Sequence, residues 1–590
     1  MTEVIAKPKK TKWHYTAAVI SFVFWFWCLG GVEVFLLRDI PLLLILCMVM
    51  ALLHLPVARW LGKPDNKWIL LIVYFVAIII AAALLFVIPP FFISRQTTYL
   101  TEPRAKNYYG IDYLTAIEQR IAPNVPPEDN GFRFLLEKFG RPLLDGRVIT
   151  DDHWNDICEK LNLPAEIEPS VKYAGWYEFM KKLPEEERKI VEKKFCEDIS
   201  PPFSDEQLPI VKRWLDENNP AIELFAEAAR KPAFYTPLVG DPTIILALDY
   251  SNDVFRKITR ALSDRIYYKL ARSDSTGAWE DAWLQFHLYE THRSTVWNFL
   301  TLYFNAVLRS AAFRSAESVL LYGNWKDDEL RQKSREIEPF LTHDPKPEIK
   351  AALLGERFAH LDLMQRPFES LNKDEKSPFE LFMFKHAVQL TRPDPALKNI
   401  NRFFDQIDEN HLEDTIKRLK LREESKPTGA ASLVMLWGWY GQLKCFYVGF
   451  AEMILYVKDS DCERLSFHIH RRETESSLTR LLFALELYRR NHENKYPESL
   501  DELRNGYLDT IPLDPFSKQP FRYSLDTDRR GYLIYSVGSN GIDEGGRNNN
   551  DTPKGDDIRR QIRSPADSTA EDEVQTDVSR MTSIPLKQSP

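Results

Sequence analysis

Two histidine pairs and one glycine-rich acidic loop are the places where this chain sets reactive side chains close together. In "HLYETH", His287, Glu290 and His292 offer two imidazole nitrogens and a carboxylate. Zinc hydrolases gather that set on one helical face as H-E-x-x-H or H-x-x-E-H, so that both nitrogens reach one metal. Here the second histidine comes one place late, about 140° around a helix from the first. In "FHIHRRE", His468 and His470 stand two apart, a spacing that converges on a strand, yet the surrounding residues read as a helix start. The third place is "YSVGSNGIDEGGRNNNDTPKGDDI", residues 535–558, a strand-like run that dissolves into glycine, asparagine and aspartate.

Other chemistry lacks its signature. The chain has no G-x-S-x-G nucleophile elbow and no G-x-x-x-x-G-K-[ST] phosphate loop. Paired acids read as solvated helical faces, and the 14 tryptophans at helical spacing read as core. No catalytic residue is assigned. An exported metal-dependent hydrolase, with its site in the helical body around Glu290, is the alternative reading.

The elements that would position these groups follow from hydropathy. Three apolar stretches, Tyr15 to Leu37, Ile40 to Ala58 and Trp68 to Ile93, each reach the roughly 20 residues that cross a hydrocarbon core as a helix. They predict three N-terminal transmembrane helices. Lys7, Lys9, Lys10 and Lys12 before the first, with Arg59, Lys63 and Lys67 before the third, place those ends in the cytoplasm. Everything after about Ser94 is then expected to be extracytoplasmic. Glu33 falls inside the first stretch, close enough to Arg38 to pair with it.

The 590 residues carry a formal net charge of -8, which gives no basic footprint for nucleic acid. Four cysteines, Cys158, Cys196, Cys445 and Cys462, fall in the expected exported part, where three pairings are open to them. From 95 to 465 the pattern is helical. Trp297, Leu300, Phe304, Val307, Leu308 and Ala311 recur at steps that share a helical face, and Ala312, Ser315 and Ala316 allow a neighbour close approach. The apolar run from Leu433 to Val457 reads as a buried helix rather than a fourth span, because Gln442 and Lys444 interrupt it.

After residue 466 the pattern changes. Leu478, Leu481, Leu482, Leu485 and Tyr488 make one helix face, "KYP" stops it, and Ser499 with Glu502 forms a capping box for a short helix. Two β-like runs follow, Phe521 to Leu525 and Tyr532 to Val537. With "YPESLDEL", "IPLDPFSKQPFRY" and "GYLIYSVGSNGIDEGG" followed by "DDI", residues 471–558 resemble the soluble domain of the type II secretion system major pseudopilin.

That resemblance implies an α+β domain whose loop binds calcium through the Val537 carbonyl, Ser539, Asn540, Asp543 and one or both of Asp556 and Asp557. Calcium takes six to eight oxygens, and glycines let a loop fold tightly enough to converge them. Asn540 replaces an acid of the family's turn, and "RNNNDTPKG" separates the ligand groups. A pseudopilin's N-terminal processing and polymerisation sequence is lacking, so assembly by that route is not expected.

The expected architecture is therefore mainly α: a membrane domain over 1–94, an extracytoplasmic helical body over 95–465, a pseudopilin-like α+β domain over 466–560 and a disordered polar tail over 561–590. The expected function is that of a multi-pass bacterial inner-membrane protein that mediates interaction or assembly in a secretion or envelope context. Its expected partners are the lipid bilayer and envelope or secretion-related proteins.

Overall fold

The computed structural model describes residues 91–106, 108–144, 149–192, 202–239, 250–365, 394–407, 439–549 and 551–562. Its body is a helical stack: α1 (Tyr113–Ile121), α2 (Gly131–Phe139), α3 (Asp151–Lys160), α4 (Trp176–Met180), α5 (Glu185–Glu192), α6 (Leu208–Ala229), α7 (Ser251–Ala271), α8 (Ser275–Arg293), α9 (Phe299–Tyr322), α10 (Asp327–Leu341), α11 (Lys346–Gln365) and α12 (Asp394–Asp405). The longest described helix, α13 (Trp439–Asn491), leads into the C-terminal unit.

The expectation of three N-terminal transmembrane helices is corrected. Among the described residues no helix is long and apolar enough to cross a membrane. The first two apolar stretches lie outside the described residues. Of the third, the described end Phe91–Ile93 is not helical. Phe91 is fully buried in a protein core, edge-on to Tyr109 at 5.3 Å, and the Phe92 N–H donates to Asp394 Oδ1 at 3.1 Å. Protein rather than lipid surrounds the Phe91 ring. The multi-pass inner-membrane placement and the extracytoplasmic assignment of the body, which rested on those spans, go with them.

Local chemistry explains where helices begin. Asp274 accepts from the Gly277 N–H at 2.9 Å to start α8, and Asn298 and Thr301 cap α9 reciprocally. The buried face of α9 is not the one its apolar spacing predicts, since Leu300 and Val307 are 60% and 56% exposed. Asn305, Arg309, Ala312, Ser315, Ala316 and Glu317 face inward instead. The small residues do let α9 pack closely on α8, but the core they enter is partly ionic.

Helix α13 takes part in three cores. Leu465 joins the cluster around Phe91 and α11, Phe483 and Leu487 join the one between α8 and α9, and Leu478, Leu481, Leu485 and Tyr488 join that of the C-terminal unit. Its 53 residues span about 80 Å and run through position 465 without a break, so His468 and His470 lie mid-helix. His468 stacks on Tyr303 at 4.3 Å and His470 lies 5.4 Å from Phe516. The chain leaves α13 by turning left-handed at Glu493 and Asn494, where the Asn494 N–H caps the Arg489 carbonyl at 3.0 Å.

The capping box forms as expected, with Ser499 and Glu502 bracketing a 3-10 helix, Leu500–Arg504. A three-stranded antiparallel sheet follows in the order β1 (Arg522–Leu525), β2 (Tyr532–Ser536), β3 (Ile558–Ile562). Tyr532 and Ile534 of β2 are buried against α13, and the wholly apolar Ile534 contributes about 1.5–3 kcal/mol by its burial. β3 sits where a polar tail is predicted to begin. It is docked by charge, since Arg560 reaches Glu317 of α9 and Thr479 of α13 donates to the same carboxylate at 2.6 Å.

Candidate metal centre

The loop between β2 and β3 is built on its own backbone. Gly538 has a φ of +66°, and a Cβ there would lie 2.3 Å from the Asp556 carbonyl, so only glycine fits. The Val537 N–H and the Ser536 hydroxyl both donate to Asp514, which is 1% exposed and ties the loop to the turn before β1.

Three carboxylates meet inside this loop. Ligand atoms of Glu544, Asp556 and Asp557 all lie within 4.8 Å of one another, and this is the one such group of three or more among the described residues. Two oxygens bound to a single calcium at about 2.4 Å can be at most about 4.8 Å apart, so the spacing matches one shared ion. Each aspartate keeps one oxygen occupied. Asp556 Oδ2 accepts from the Ser539 N–H at 2.9 Å, the Ser539 hydroxyl at 2.8 Å and the Asn540 N–H at 3.0 Å. Asp557 Oδ2 accepts from the Gly546 N–H at 2.7 Å.

The other oxygen of each, Asp556 Oδ1 and Asp557 Oδ1, is buried with no donor. Among the described residues no lysine or arginine pairs with any of the three acids. Asp557 is 2% exposed, and burial, joined by the charge of Glu544, pushes its carboxyl up to about 6 although the Gly546 N–H pulls the other way. Two aspartates, each with a buried donor-free oxygen, beside a half-buried glutamate whose charge repels theirs are an arrangement that a hard divalent cation relieves. The residues fit calcium.

The residues expected from sequence divide into two groups. Asp556 and Asp557 are drawn together, with Ser539 and Asn540 holding Asp556 from the second strand's end. Val537 directly follows β2, its N–H donating to Asp514 Oδ2 at 3.4 Å. Asp543 turns the other way, accepting from Tyr535 Oη at 2.8 Å and from Arg522 Nε at 3.1 Å. The residue that sequence reasoning missed is Glu544, one place later, whose Oε1 accepts from Asn540 Nδ2 at 2.7 Å. Its signal was the acid pair Asp543–Glu544 before two glycines, of which the resemblance selects the first.

The histidine set does not assemble. His292 is 1% exposed, lies edge-on to Phe255 at 5.0 Å, and burial lowers it to about 3. Glu290 pairs with Arg293 at 3.0 Å. Cys158 is a buried free thiol, while Cys196, Cys445 and Cys462 lie outside the residues whose side chains are described. No known protein family, curated protein or solved structure matches this chain.

Proposed function

We propose that this protein acts in protein interaction or assembly, presenting a C-terminal α+β head whose loop over 537–557 closes on a calcium ion. The observation that supports the ion is the pair of buried, donor-free oxygens on Asp556 and Asp557 beside Glu544. The assembly role rests on the resemblance of residues 471–558 to the pseudopilin domain, a unit that family uses in building an assembly. When bound, calcium would supply the charge that lets all three carboxylates stay ionised together. Ser539, Asn540 and Gly546 hold the outer oxygens so that the inner ones face one another.

Thermal unfolding of the full chain in calcium and in chelator tests the ion. A calcium-dependent rise that disappears in Asp557→Asn supports the reading; equal midpoints at millimolar calcium refute it. In-cell crosslinking tests the role. Partners recovered with the wild-type chain should be lost when residues 539–556 are replaced by a short glycine-serine linker, and an unchanged set would end the assembly proposal.

A further inference from the structure

A cleft of about 500 Å³ opens between α13, the turn joining α10 to α11, and the turn before β1. Its walls carry three cations, Arg472 and Arg480 from α13 and Lys518 from the turn. Arg480 is already paired with Glu338 at 2.6 Å. The other two are different. Arg472 is half-buried, and its Nη2 donates only to neutral oxygens, Tyr289 Oη at 2.9 Å and the His343 carbonyl at 3.3 Å. Among the described residues no carboxylate lies within ion-pair distance of Arg472 or Lys518.

The acids nearby do not fill that role. Asp514 also lines the cleft, but its carboxylate is engaged by the Ser536 hydroxyl at 2.6 Å, the Ser517 hydroxyl at 2.7 Å and the Phe516 N–H at 3.1 Å. Asp344 accepts from the Lys346 N–H at 3.0 Å, and both it and Glu473 line the cleft while remaining exposed to water, which screens their charge. The buried Ser477 adds a hydroxyl to the wall between Arg472 and Arg480. A half-buried guanidinium without a counter-charge costs free energy that a bound anion returns.

We propose that this cleft binds a phosphate-type oxyanion, clamped between the guanidinium of Arg472 and the ammonium of Lys518 with the Ser477 hydroxyl as a third donor. A carboxylate presents two oxygens in one plane. A phosphate presents three in a tetrahedral spread, which suits donors arriving from separate walls. The volume falls within the range of small-molecule sites and leaves room for a short organic group beyond the phosphate. Free phosphate and a small phosphomonoester share this chemistry.

The test uses the full chain in chelator, which separates this site from the calcium loop. Thermal unfolding and calorimetry are run with inorganic phosphate, glycerol 3-phosphate and acetate, against chloride at matched ionic strength. Phosphate or its ester should raise the midpoint saturably, and the tighter of the two identifies the source. Lys518→Gln, on an exposed turn, should weaken binding by about ten-fold or more while leaving the ligand-free midpoint in place, and Arg472→Lys should weaken it similarly. The proposal is overturned by no rise beyond chloride, by acetate matching phosphate, or by binding that survives both variants, which would mark an adventitious ion only.

Discussion

Arg560 donates from Nε to Glu317 Oε2 at 2.8 Å and from Nη2 to Glu317 Oε1 at 3.2 Å, joining β3 to α9 across 243 residues of sequence. The two side chains are 8% and 0% exposed. Removing one partner leaves the other charge buried, so Arg560→Ala should lower stability by about 3–5 kcal/mol in denaturant titrations. The pair Arg560→Met with Glu317→Leu should recover most of that loss. A single variant with wild-type stability would mean that the sheet does not dock on α9.

Asp543 and Glu544 are neighbours with opposite fates, which separates sequence reasoning from geometry. Calcium at about a hundred times its Kd should stabilise the wild-type chain by about 2.7 kcal/mol. Glu544→Gln should abolish most of that gain, whereas Asp543→Ala should keep it, since Asp543 serves Tyr535 and Arg522. The reverse pattern in a calcium titration would restore Asp543 as the ligand.

Proton linkage gives a third check. The folded Asp557 carboxyl sits at about 6, above its unfolded value of about 4. Between those values the folded state binds more protons than the unfolded state, so in chelator this group's stability contribution falls as pH rises through that window. Saturating calcium should abolish the fall by displacing the proton, and Asp557→Asn should remove it altogether. A midpoint from this loop that climbs over the same window in chelator would contradict the buried-acid geometry.

His292 predicts the opposite slope. Burial lowers it to about 3, so between there and about 6.5 the unfolded chain takes up a proton that the folded chain refuses. Stability should fall with acidification through that window by about 1.4 kcal/mol per pH unit from this one group. His292→Leu should flatten the slope. An imidazole that titrates near 6.5 in the folded chain by NMR would show that the site admits water.

The parts of this fold that were legible in sequence are those governed by local rules. The face from Leu478 to Tyr488, the box of Ser499 and Glu502 and the hairpin pairing Arg522 with Tyr535 each follow from spacing over a few residues. What failed did so for long-range reasons. β3 reads as polar because Arg560 finds its partner in Glu317, far away in sequence, and the inward face of α9 reads as solvent-facing for the same cause. In the loop, the meeting of Asp556 and Asp557 was legible from their adjacency, while the approach of Glu544 rather than Asp543 depended on which way a glycine-flanked turn rotates. Apolar run length alone predicted a lipid setting for Phe91, which lies within a protein core.

The distance in sequence between Glu317 and Arg560 also sets a schedule for biosynthesis. At about 5–20 residues per second, the ribosome needs roughly 12–50 s to add the 243 residues that separate them. Throughout that interval Glu317 of α9 lacks the counter-ion that it has in the folded chain. A chain truncated before 558 would leave the Glu317 carboxylate without that guanidinium. Among the described residues, the strand that neutralises the α9 core is thus made long after the helix it serves.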